Sequence, residues 1–135
     1  MRIIGLILLY FSCIFHFLLS ALVFGIGAVG LLTSASNLKM RMLPWIQGEN
    51  QLVWLVVLGL AGMISAALAA LGKLRILLVL WSLIALVAMV YGYFIAPYTF
   101  TGAAEAKGAA WLSFGALGAF FGALMGIASP RARRA

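Results

Sequence analysis

The chain has 135 residues, 67% hydrophobic and only 8% charged, with a mean hydropathy of +1.23 and a net charge of +7. Soluble domains carry about 25% charged residues, so a water-soluble globule is excluded: too few charges exist to cover so much apolar surface. The positive excess does not indicate nucleic acid, because the basic residues cluster at the ends of apolar segments, as in membrane proteins.

Arg2 leads into an apolar run from Ile3 to Leu32. A basic start before an apolar stretch also describes a signal peptide, but this run is too long for a signal core. It reads as a first transmembrane helix over 3–33, about 45 Å long at 1.5 Å per residue, so it must tilt or protrude. Residues 34–51 form an outer loop. Thr33-Ser34-Ala35-Ser36-Asn37 is turn chemistry, and Pro44-Trp45 suits a membrane interface. Within the loop, residues 38–42 alternate apolar and basic side chains. Asn50 is a candidate N-cap for the next helix.

Residues 52–72 and 76–96 are two apolar segments joined by Gly72-Lys73-Leu74-Arg75. Each is about as long as the roughly 20 residues a bilayer core of about 30 Å requires. Gly72 suits a helix end, and the pair reads as a transmembrane hairpin with its turn (72–75) at the membrane surface. Pro97 ends the third helix, since the residue before proline disfavours helical geometry. A second outer loop follows over 97–107. Its residues 98–101 could pair with 38–42 as a two-stranded sheet outside the membrane. The fourth helix spans 108–128, starting at Ala103 at the earliest, and a basic tail occupies 129–135.

The expected fold is therefore an all-α, four-transmembrane-helix bundle in one membrane domain. With four spans, Arg2, Lys73, Arg75, Arg131, Arg133 and Arg134 share one side, against Lys39, Arg41 and Lys107 on the other. The bias places both termini and the hairpin turn in the cytoplasm, an N-in/C-in arrangement in a cell membrane. Trp45, Trp54, Tyr91, Tyr93, Tyr98 and Trp111 fall near the proposed outer surface, as an interfacial belt; Trp81 lies toward the inner side. The six cations of the inner side are also positioned to meet anionic lipid headgroups.

No Asp, Glu, Lys or Arg falls inside a predicted span. Ion-coupled transport and proton relays usually need an ionisable group at membrane depth, and hydrolysis needs an acid–base pair; neither is present. Carboxylate clusters and multiple His or Cys for metal are also missing, and the single Cys13 allows no internal disulfide. No catalytic residue is therefore assigned. Gly25-Ile26-Gly27-Ala28-Val29-Gly30 matches GxGxxG, but it lies inside a helix without a βαβ unit and is no dinucleotide site.

His16 is the one titratable group at depth. Ser12, His16 and Ser20 recur four residues apart, with Cys13 beside them, and form a polar stripe on one face. The ordinary reading is a neutral histidine hydrogen-bonded inside the bundle. The alternative is a haem ligand or a quinone contact, although a bis-histidine haem would need a second histidine from another chain. Gly118, Gly122 and Gly126 form a glycine zipper for close helix contact, and Gly62, Ala66 and Ala70 offer a matching face on the second helix. The expected function is a non-enzymatic accessory or structural subunit, packed against other membrane subunits or further copies of itself. The alternatives are a small transporter or channel for a neutral or lipid-like substrate, lined by Ser12, His16, Ser20, Ser65, Ser82 and Ser113, and a redox subunit using His16.

Overall fold

A computed structural model describes residues 2–33, 50–96 and 99–128. Four helices long and apolar enough to cross a membrane account for nearly all of them, and no strand occurs among the described residues. Helix α1 covers Arg2–Leu32, α2 Gln51–Ala70, α3 Arg75–Val90 and α4 Ala103–Ala128. Residues 38–42 and Tyr98 lie outside the described residues, as do the interfacial Pro44-Trp45 pair and most of the first loop. The described 99–101 carry no strand.

Local chemistry sets each helix end. At the end of α2, Gly72 adopts φ 79°, which only glycine reaches without a Cβ penalty. The Lys73 N–H then donates to the Leu68 carbonyl at 2.8 Å and the Gly72 N–H to the Ala69 carbonyl at 3.0 Å. This is a Schellman closure. Leu74 follows in the left-handed region at φ 48° and opens α3 directly. At its far end α3 continues as one π-turn, Tyr91–Ile95, in which the Ala96 N–H donates to the Tyr91 carbonyl at 2.7 Å. Ala96 itself is extended at ψ 156°, as a residue before proline should be. Nothing in the apolar pattern announced the π-turn.

Helix α4 begins at Ala103, not at 108, so Glu105 and Lys107 belong to the helix and the loop expected over 97–107 is shorter. The cause is Glu105. One of its carboxylate oxygens accepts from the Thr101 N–H at 2.7 Å and the Thr101 hydroxyl at 2.6 Å. A carboxylate reaching back over the first turn secures a helix N-terminus.

Helix α1 packs on α2 and α4, and α3 packs on α4 and α2, so the four form a ring. Small residues bring the backbones together. A Cβ on Gly59 would stand 2.6 Å from the Phe24 backbone nitrogen, and one on Gly27 would stand 2.9 Å from that of Val56. A Cβ on Gly122 would collide with the Leu8 carbonyl, and one on Gly115 would stand 2.7 Å from the Phe15 ring. The small face of α4 thus docks on α1, which corrects the expected match with α2. Gly62 instead meets Ser20 of α1 and Trp81 of α3.

Ala66 is buried but Ala70 is exposed, with Ala69 in the core in its place. At 3.6 residues per turn, eight positions overshoot two turns by about 80°, whereas seven fall short by only about 20°. All four glycines of this face look toward α1: a Cβ on Gly115, Gly122 or Gly126 would crowd it, whereas one on half-exposed Gly118 would only meet the Phe11 ring at 3.8 Å. The outside of the ring is covered with exposed Leu, Ile, Val, Phe and Trp side chains. Such a surface is apolar enough to face lipid.

Candidate functional site

The buried face of α1 carries Leu9, Ser12, Cys13, His16 and Ser20. These positions fall on one stripe of a 3.6-residue helix, so the polar groups are carried inward together with Leu9 and Cys13. Ser12 and His16 are 0% exposed and Ser20 is 1% exposed. Ser65 on α2 and Ser82 on α3 carry further buried hydroxyls. The stripe expected from spacing is therefore an interior seam.

Its members divide by hydrogen bonding. Ser65 Oγ donates to the Ala61 carbonyl at 2.7 Å and Ser82 Oγ to the Val79 carbonyl at 2.8 Å, each on its own helix. Ser113, half-buried on α4, donates to Ala109 in the same way. In contrast Ser12 Oγ, both His16 ring nitrogens, Ser20 Oγ and Trp81 Nε1 are buried with no partner among the described residues. The Phe15 ring meets His16 edge-on, 5.5 Å between centroids and at 85°. Ser20 Oγ and the six-membered ring of Trp81 converge where a Cβ on Gly62 would stand. On the α4 side, Gly122 brings its backbone against Ser12; a Cβ there would lie 3.3 Å from the Ser12 Cβ.

Sequence reading set Trp81 apart only as the exception to the outer aromatic belt, toward the inner side, and missed that it packs inward against Gly62. The available signal was its place three residues after Leu78 and next to Ser82, both fully buried.

The predicted cofactor role of His16 meets an obstacle. The imidazole is 0% exposed, so it presents no free edge at the bundle surface to an iron porphyrin or a quinone. Among the described residues no group of three His, Cys, Asp or Glu is placed to hold a metal.

The cations assigned to lipid headgroups behave differently from one another. Lys73 is exposed in the turn. Arg75 reaches across the bundle, and its Nη1 donates to the Gly126 carbonyl at 2.8 Å. This places a cation at the C-terminus of α4, where it is favoured. Arg131, Arg133 and Arg134 lie outside the described residues, and Arg2 begins α1.

Comparison with protein-family models, curated proteins and solved structures finds no match to this chain.

Proposed function

We propose that this is a non-enzymatic multi-pass membrane protein, with both termini and the α2–α3 turn cytoplasmic, whose role is assembly. It packs against another membrane-embedded helix, in a larger complex or in a second copy of itself. The observation that carries this reading is an aromatic ridge on the outward face of α4. Trp111, Phe114 and Phe121 are 77%, 71% and 55% exposed, and their spacing keeps them within about a quarter-turn of one another. Half-exposed Gly118 lies between Phe114 and Phe121 along α4, its would-be Cβ 3.8 Å from the Phe11 ring of α1. Large aromatic side chains beside a small residue are the relief that van der Waals packing between membrane helices uses.

The test is native mass spectrometry from lipid nanodiscs, with the wild-type chain beside Phe114→Ala/Phe121→Ala. The reading expects a discrete complex for the wild type and its loss in the double variant, with thermal stability changed by less than about 0.5 kcal/mol because these side chains face outward. A lone monomer from native membranes, or an unaltered complex in the double variant, would contradict it.

A second reading, passage of a small neutral solute, is favoured by the buried polar seam. A continuous pore is not what the packing supports. Beyond Ser20, close contacts of Gly59 with Phe24 and of Gly27 with Leu55 and Val56 close the bundle.

A further inference from the structure

We infer that the seam formed by Ser12, His16, Ser20 and Trp81 is an enclosed binding site for small neutral hydroxylic molecules, of which water is the smallest. A polar group buried in an apolar medium without a hydrogen bond costs roughly 2–7 kcal/mol, and no bulk water reaches the hydrocarbon layer to relieve it. Five such atoms on four residues are buried here with no partner among the described residues. They occupy one region: Ser12 to Ser20 span about 12 Å of α1 at 1.5 Å per residue, and Trp81 meets Ser20 over Gly62. A cluster of this kind is stable only if something else completes its bonds.

The donor and acceptor set defines the ligand. Indole N–H is a donor only, each serine hydroxyl is both donor and acceptor, and a neutral imidazole has one nitrogen of each kind. A guest must therefore accept from Trp81 and also donate to His16. Hydroxyl groups do both. Among the described residues no carboxylate stands on the seam to hold a metal cation, and Arg75 is engaged on the Gly126 carbonyl. The guest is accordingly uncharged.

The packing gives the site its limits. Toward the α2–α3 turn it is bounded by Leu9, Cys13, Ala66, Leu78 and Ala123, all buried. Toward the other end it stops at the contact of Gly59 with Phe24. The seam is thus closed at both ends within the bundle, and the ligand is held there as part of the fold. This inference does not depend on the assembly role: a wet seam is compatible with a monomer, and a dry one with a complex.

His16 is the only histidine in the chain, so histidine-specific 15N labelling reports on the seam alone. Solid-state NMR in lipid bilayers would measure magnetisation transfer from water to the His16 side chain, with a parallel sample containing 13C-glycerol. The expected result is clear transfer to the ring nitrogens within mixing times that leave the lipid-buried backbone dark. Transfer should fall at least twofold in both Ser12→Ala and Ser20→Ala. Transfer from water alone identifies ordered waters, and additional transfer from glycerol extends the site to small polyols. No transfer from either source would overturn the inference. A signal unchanged in both serine variants would do so as well. The serine substitutions remove only a hydroxyl, and the imidazole chemical shift reports independently whether the bundle is still folded.

Discussion

Replacing Gly122 by leucine should leave little or no folded bundle. A Cβ at this position already collides with the backbone carbonyl of Leu8, and it would also lie 3.3 Å from the Ser12 Cβ. Overpacking that side chains can absorb costs about 1–3 kcal/mol. A carbonyl fixed in the middle of α1 cannot rotate away, so here the helices themselves must part, and the loss should exceed that range. Separation would also break the neighbouring contacts of Gly115 with Phe15 and Gly126 with Leu9. The check is fluorescence-detected size exclusion in mild detergent together with a thermal melt. The expected outcome is loss of the monodisperse peak, or a fall in melting temperature of 10 °C or more, estimated at about 4–8 °C per kcal/mol for a domain of roughly this size. A variant as stable as wild type would show that α4 does not rest on α1 at this point.

The second large effect is a reversal of sign. Gly59→Ala and Gly25→Ala are the same chemical change in two membrane helices. Taken alone, each should stabilise its helix, since glycine is about 1 kcal/mol worse than alanine in a helix interior. Gly25 has nothing within 4 Å of its would-be Cβ, so it should keep that gain. At Gly59 the same methyl stands 2.6 Å from the nitrogen and 2.7 Å from the Cα of Phe24. Backbone on both sides leaves no flexible atom to yield, and the net change should be a loss of about 1–3 kcal/mol. Unfolding in a graded denaturing detergent, read by tryptophan fluorescence, would order the three proteins as Gly25→Ala above wild type above Gly59→Ala. Equal stabilities would mean that α1 and α2 do not approach as closely as they do here.

These two glycines also show how far the sequence could be read. Both lie in apolar runs whose lengths announced membrane helices, and the helix ends followed from Gly72 and Pro97 by conformational rules. The pairing of helices did not follow. Four-residue spacing of small residues marked Gly118, Gly122 and Gly126 as a contact face, but it carried no information about the partner. Gly62, Ala66 and Ala70 had the matching spacing and were not it. Helical drift swapped Ala70 for Ala69, and the close approach to Leu8 depends on a backbone carbonyl, which sequence pattern does not mark. The Ser12, His16 and Ser20 stripe was legible because period alone turns it to one side. Trp81, inside α3, was not, because tryptophan suits both an interface and a core. Arg75 is a similar case. The positive-inside rule assigns it to one end of the bundle, while its hold on Gly126, some fifty residues away, is marked by no local pattern. The early start of α4 rested on Glu105 reaching back to Thr101.

All of this presumes that the helices cross a bilayer in alternation, and one labelling experiment tests that directly. Lys73 and Gly102 are both exposed and lie at opposite ends of the α3 span. In a Cys13→Ala background, Lys73→Cys and Gly102→Cys would each be treated on intact cells with a membrane-impermeant maleimide. The account predicts immediate labelling of the cysteine at 102 and labelling of the cysteine at 73 only after permeabilisation. Equal labelling of both from one side would mean that α3 does not cross, and the four-span bundle would fall with it.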